Sequence, residues 1–163
     1  MSPSLPNTSL TATSVEYLRP PPSRPTASSH NARQTMRANR RVSALEIRFR
    51  KAVWAAGARG YRVRRRLPGR PDLVFPAVRL AIFVHGCFWH RCEVCRLPEP
   101  KANAEFWRDK LTQNVNRDAA ATLELERTGW KPVVVWEHEL RKDLHGVAAR
   151  VAAQVVRMRG AHG

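Results

Sequence analysis

Cysteine is missing from this chain everywhere but one window: Cys87, Cys92 and Cys95 all fall between residues 87 and 95. An odd, clustered set with no distant partner excludes a disulfide framework and reads as metal ligation in a reducing compartment. Long apolar runs are missing too. No stretch approaches the ~18 residues that a membrane-spanning helix needs. The N-terminus has no basic start followed by an apolar stretch, so a secretory leader is not expected either. Acidic residues are scarce, 13 against 29 lysines and arginines, which leaves a formal net charge of +16 and a pI near 11.4. Solubility asks for less than that. The excess predicts attraction to an extended anionic polymer, nucleic acid first. The expectation is a cytoplasmic, nucleoid-associated protein with no membrane partner. Internal repeats are absent, and once a polar N-terminal stretch is set aside about 130 residues remain, enough for one domain with a moderate core.

Residues 1–32 are rich in Pro, Ser and Thr. Such a stretch buries too little apolar area to offset the entropy of ordering, so a disordered tail is expected. A basic arm over about 33–42 follows, with Arg33, Arg37, Arg40 and Arg41. Ser43-Ala-Leu-Glu46 is a capping-box sequence, Ser43 as N-cap and Glu46 reaching back. It predicts a helix to about Ala58 with Leu45, Phe49, Val53 and Ala56 on its apolar stripe. Alternation in Tyr61-Arg-Val-Arg-Arg-Arg66 predicts a strand. Asp72-Leu-Val-Phe75, entered through the loop Leu67-Pro-Gly-Arg-Pro71, and Leu80-Ala-Ile-Phe-Val84 predict two more. Phe106, Leu111, Val115, Ala119 and Leu123 keep roughly helical spacing and predict a long helix between Pro100 and Gly129. Pro132-Val-Val-Val-Trp136 is apolar throughout and predicts a buried strand. Leu144, Val147, Val151, Val155 and Met158 predict a last helix over about 143–158. Helix, three strands, helix, strand, helix is the order of an α/β domain with a central mixed sheet flanked by helices.

Two constellations carry chemistry. Cys87-x4-Cys92-x2-Cys95 supplies three soft ligands at spacings one zinc ion accepts, and structural zinc takes four. His138, just beyond the strand ending at Trp136, is the first choice for the fourth; His90 and His85, nearer in sequence, are the alternatives. The second constellation starts from Arg70-Pro-Asp72, where a rigid turn fixes a carboxylate at the start of a strand. The next strand ends at His85, so Asp72 and His85 can converge at one edge of the sheet. A carboxylate with a backbone carbonyl suits Mg²⁺, and a histidine beside it can move a proton. Phosphodiester hydrolysis needs that combination.

Five ordered blocks resemble one family. Leu67-Pro-Gly-Arg-Pro-Asp72, Phe83-Val-His-Gly-Cys-Phe-Trp-His90, Glu105-Phe-Trp107, Asn114-Val-Asn-Arg-Asp118 and Val135-Trp-Glu-His-Glu-Leu140 are similar to the very-short-patch repair (Vsr) mismatch endonucleases over about residues 33–142. The resemblance implies a restriction-endonuclease-like, PD-(D/E)XK-type fold with a structural Zn²⁺ site. It also implies a Mg²⁺-dependent enzyme that nicks one DNA strand 5′ to the thymine of a T:G mismatch, the product of 5-methylcytosine deamination.

By position, the resemblance makes Asp72 the Mg²⁺-binding aspartate, with the backbone carbonyl of Val84 as a second contact. His90 becomes the histidine that acts on the scissile phosphate and His85 a second active-site histidine. Glu46 supports the metal–water network and Asp118 is a supporting carboxylate on the long helix. Phe88, Trp89 and Trp107 resemble the family's aromatic wedge beside the mismatch, and Met36, in the basic arm, a residue approaching from the opposite groove. Unstacking costs least at a mismatched step, which suits a wedge; core packing is the competing role for each aromatic, most evenly balanced for Trp107. Three departures stand out. Val84 replaces a threonine. Arg91-Cys-Glu-Val-Cys95 replaces a histidine-rich zinc segment, and His138 replaces the cysteine after Trp-Glu. The last two exchanges keep the ligand number, which supports His138 as the fourth zinc ligand. Duplex DNA with a T:G mismatch is the expected partner, with mismatch-repair factors as further candidates and the monomer as the acting form. A nickase or restriction-type nuclease with another target, and a zinc-stabilised DNA-binding module without catalysis, are the competing readings.

Overall fold

The computed structural model of the chain describes residues 44–63 and 65–161; the tail 1–32, the arm 33–42 with Met36, and Ser43 lie outside the described residues. Helix α1 spans Ala44–Ala55 and buries Phe49, Ala52 and Val53. It ends three residues before the expected Ala58, and Ala56 is exposed. Strand β1, Leu73–Phe75, is buried along its length. It stops after three residues because Pro76, which has no N–H to give a ladder, opens a single 3-10 turn over Pro76–Val78. Strand β2, Leu80–His85, is central: antiparallel to β1 on one side and parallel to β3, Lys131–Trp136, on the other. The sheet is therefore mixed, as expected, and small.

Among the described residues of the strand expected over 61–66, no strand is formed. Only Arg62 pairs, with Val74, through N–H···O bonds of 2.7 and 2.8 Å. Tyr61 alone anchors the segment, its ring packed edge-on against Phe75 and Trp54, while Val63 stays exposed; one apolar contact gives alternation no face to bury. A second correction concerns β3. It is an edge strand and buries only Val135, with Val134 37% exposed. Its apolar run marks strand propensity, not enclosure, and Pro132 is tolerated because an edge spares it a ladder bond.

Parallel β2 and β3 need a long crossover, and helix α2, Ala104–Arg127, provides it. It closes where Gly129 (φ 77°) lets the N–H of Gly129 reach the Glu126 carbonyl and that of Trp130 the Leu125 carbonyl, a Schellman stop. The buried stripe of α2 is Leu111, Asn114, Ala121 and Leu125, not the expected Val115, Ala119 and Leu123, which face solvent. The stripe was misassigned because two of its positions, Asn114 and the half-buried Asp118, are polar. A short helix that was not expected, α3, Glu137–Lys142, precedes the expected last helix, α4, Leu144–Gly160, which the Asp143 carboxylate caps through the Gly146 N–H at 2.8 Å.

Successive strand residues face opposite sides. Leu80 and Ile82 join the main core with Phe49, Val53, Val147, Val151 and Val155 of α1 and α4, while Ala81 and Phe83 pack with Leu125 of α2. Helices thus cover both faces, and the alternation sends His85 to the α2 side. No helix among the described residues is long and apolar enough to cross a membrane.

Candidate active site and metal centre

The register fixes what meets at the C-terminal end of β2. Val84 lies beside Val135 and His85 beside Trp136, so Cys87 and His138, each two residues further on, emerge side by side. β1 runs antiparallel to β2, so Asp72, just before β1, sits at that same end. Gly69 shapes the loop that delivers it. The Arg70 N–H bonds to the Leu67 carbonyl at 3.0 Å, with Pro68 and Gly69 (φ 70°) in the two central positions of a type II turn. A Cβ at Gly69 would stand 2.8 Å from the Ala121 Cβ and 2.9 Å from the Phe83 ring, so the loop rests on α2 and β2 at once.

Asp72 accepts the Val84 N–H at 2.6 Å. Burial raises its pKa above the usual carboxylate value, against the opposing pull of that N–H, the Arg50 charge, a hydrogen bond with Glu46 and the His90 charge. Glu46, in the first turn of α1, is half-buried and hydrogen-bonded by Arg50 one turn later. The site therefore collects two carboxylates with an oxygen-donor character that suits a hard cation. In an extended strand the N–H and C=O of one residue point to the same edge. The Val84 carbonyl accordingly faces the side on which Asp72 lies.

Beside this pair, the His85 and His90 rings stack at 3.8 Å between centroids and 10° between planes. His90 Nδ1 is hydrogen-bonded to the Asp118 carboxylate. His85 is buried between Phe83 and Trp136; burial pushes its pKa down to about 4, His90 acting in the same direction and Asp118 against it. At neutral pH His85 is therefore uncharged where it stacks on His90.

Cys87, Cys92, Cys95 and His138 form a separate cluster whose ligand atoms lie within 4.8 Å of one another. His138 Nδ1 stands 3.3 Å from Cys87 Sγ and 3.5 Å from Cys92 Sγ. A tetrahedral zinc with bonds of ~2.0–2.3 Å holds sulfur and nitrogen ligands ~3.5 Å apart, so the donors fit that ion. His85 and His90, the alternative fourth ligands, belong to the Asp118 cluster instead. Burial pushes the Cys87 thiol up to about 12. Burial acts the same way on Cys92, but the N–H groups of Cys95 and Val94, directed at its sulfur by the Cys-x-x-Cys turn, outweigh it and lower its pKa. Those amides favour a thiolate, the form a metal takes.

Between the two clusters the loop carries its aromatics. Phe88, Trp89 and Trp107 are all half-exposed, their ring centroids 5.1 to 5.9 Å apart. Trp107 is thus part of the same aromatic group and not a core residue of α2. Three supporting residues escaped sequence reasoning. Asn114, buried on α2, donates to the Trp89 carbonyl at 3.1 Å and accepts from Arg117 at 2.6 Å. Glu137 accepts the Cys87 N–H at 3.4 Å. Arg50 reaches Glu46. A polar residue three or four positions from apolar ones on a helical stripe was the available signal for Asn114; for Arg50 it was the i, i+4 spacing from Glu46.

Residues 27–96 match the family model described as DNA mismatch endonuclease Vsr. A type II nicking enzyme of Neisseria meningitidis serogroup A, V.NmeAIP, is 40% identical over 98 residues, 59% of this chain and 69% of that protein. Another, V.XorIIP of Xanthomonas oryzae pv. oryzae, is 45% identical over 96 residues, 56% and 69% respectively. This chain belongs to the Vsr family. The DNA mismatch endonuclease Vsr of Escherichia coli K12 is 44% identical over 75 residues, 46% of this chain and 48% of that protein. Membership in the Vsr family makes the chain a DNA endonuclease, and Glu46, Asp72, His85, His90 and the three cysteines lie within the residues that match the family model, while Trp107, Asp118 and His138 lie beyond them.

Proposed function

We propose that this Vsr-family chain nicks one strand of duplex DNA 5′ to the thymine of a T:G mismatch. The observation that carries the reading is the half-exposed Phe88–Trp89–Trp107 group next to the His85–His90–Asp118 cluster: a device that can enter a base step sits on the loop that also carries a proton-transfer group. Inserting a ring costs unstacking energy, and a mismatched step costs least. The Escherichia coli relative bears the name of a mismatch endonuclease, which supports this target. The nicking enzymes support a second reading, a strand nickase with another target on the same fold.

In this mechanism Asp72 and the Val84 carbonyl would hold Mg²⁺, with Glu46 supporting its water network. The ion supplies positive charge that offsets the negative charge developing on the phosphodiester. Asp118 fixes His90 through Nδ1, which turns Nε2 toward proton transfer at the scissile phosphate. Neutral His85 supports the His90 ring from below. Cys87, Cys92, Cys95 and His138 would hold a structural Zn²⁺, which would tie the loop after β2 to the start of α3 and so fix both flanks of the wedge. The three-stranded mixed sheet with helices on both faces supports a restriction-endonuclease-like fold. The catalytic unit spans 33–163, its basic arm 33–42 placing Met36 against the opposite groove, and the Pro/Ser/Thr-rich tail 1–32 precedes it. The protein acts as a monomer on cytoplasmic DNA, open to recruitment by mismatch-repair factors.

The test is nicking of end-labelled T:G and T:A duplexes, with and without Mg²⁺, by the wild type and by Phe88→Ala and Trp89→Ala. The expected result is Mg²⁺-dependent nicking of the T:G duplex alone, with each alanine variant slowed on T:G. Equal nicking of both duplexes by the wild type sinks the mismatch reading in favour of the second one.

A further inference from the structure

We propose that Arg50 is a built-in counter-cation of the Asp72–Glu46 carboxylate pair, one that holds the pair together in the site and weakens it toward a divalent cation, so that Arg50 sets how tightly the site takes Mg²⁺. The proposal rests on reading that pair as the Mg²⁺ site.

Two carboxylates brought together away from water repel unless a proton or a cation lies between them. Glu46 and Arg50 stand one turn apart on α1, and their side chains are only 12% and 18% exposed. An exposed i, i+4 pair of this kind is worth little; this one is turned inward, because Phe49 and Val53 plant the same helix in the main core. Arg50 Nη2 donates to Glu46 Oε1, and its charge also bears on Asp72. One guanidinium therefore neutralises part of both acids.

The same guanidinium is not a fully bonded strut. Arg50 Nε is buried with no hydrogen-bond partner, the one such side-chain atom among the described residues. A buried donor without an acceptor costs free energy, and that cost is tolerated here because charge, not a completed hydrogen-bond set, holds the side chain. A cation entering between the carboxylates meets this fixed positive charge and must win Glu46 from it. Arg50 is thus a positioning residue that trades metal affinity for order of the carboxylates.

The test is calorimetric titration of the full chain with Ca²⁺ and with Mg²⁺, alongside melting curves with and without each ion. The variants are Arg50→Met, Arg50→Gln, Arg50→Lys and Asp72→Asn. Removing a screened charge several Å from the ion predicts about tenfold tighter binding of either ion by Arg50→Met and Arg50→Gln. Both should melt lower than wild type without the ion and recover more on adding it, and Arg50→Lys should stay near wild type. Should Arg50→Met fail to fold, the smaller change to Gln carries the measurement. Binding by Arg50→Gln that is equal to or weaker than wild type overturns the role of Arg50. An ion response that Asp72→Asn leaves intact overturns the Mg²⁺ reading of the pair itself, and the role of Arg50 with it.

Discussion

Asp72 serves two partners with one carboxylate: it accepts the Val84 N–H, which pins it to β2, and it shares a hydrogen bond with Glu46 of α1. Asn keeps the acceptor and removes the charge. We expect Asp72→Asn to lower the nicking rate by about a thousandfold, the several kcal/mol of charge stabilisation at stake, with the melting temperature close to wild type. A collapse of the fold in circular dichroism would instead make Asp72 structural. Asp118 is hydrogen-bonded to His90 Nδ1, and in the proposed mechanism it acts through that ring and not on the phosphate. Asp118→Asn should therefore cost about a hundredfold in kcat and leave KM for DNA and zinc content unchanged; a change confined to KM contradicts it. At this scale a sequence motif singles out Asp72, His85 and His90, and the fold brings all three to the C-terminal end of β2. The sequence was silent on Arg50, Asn114 and Glu137, whose roles exist only once α1, α2 and α3 are packed against the loop.

Elements explain how the site is held. The loop before β1 lies so close to α2 and β2 at Gly69 that a single methyl group collides with Ala121 and Phe83, at a φ of 70° that L residues rarely adopt. Gly69→Ala should therefore destabilise the domain by about 2 kcal/mol and lower activity as well, since Asp72 moves with the loop. Urea denaturation and nicking rate measured on the same preparation check this; unchanged stability would mean that the loop yields freely. Helix α2 existed plainly in the sequence, but its orientation did not. The apolar positions Val115 and Leu123 face solvent, because the inward stripe gives two places to Asn114 and Asp118, which serve the loop and His90. The segment 61–66 falls short of a strand for the converse reason: its second apolar residue, Val63, stays exposed and buries nothing. Helix α3 went unforeseen, since six residues beginning at Glu137 carry only one buried side chain, Leu140, too little for a periodicity to show.

Across the whole molecule the proposal places two metal sites at one strand end, the Asp72 carboxylate with the Val84 carbonyl for Mg²⁺ and three thiols with an imidazole, whose donor atoms lie within 4.8 Å of one another, for Zn²⁺. Their separation is testable: Cys92→Ala should release zinc and lower the melting temperature, because the binding free energy of a structural zinc is folding free energy. Asp72→Asn should retain zinc in full. Unchanged zinc stoichiometry in Cys92→Ala contradicts the four-ligand assignment. The net charge of +16 adds attraction to any duplex, so affinity should fall steeply with salt for matched and mismatched DNA alike, and discrimination must come from the wedge and the chemistry. The most direct measurement is therefore single-turnover cleavage at nucleotide resolution of two duplexes that differ only in a T:G or T:A pair, each strand labelled in turn. We expect one Mg²⁺-dependent nick, 5′ to the mismatched thymine, on the thymine strand of the T:G duplex. Cleavage of both duplexes at the same position and rate, or on both strands, would contradict a mismatch nickase.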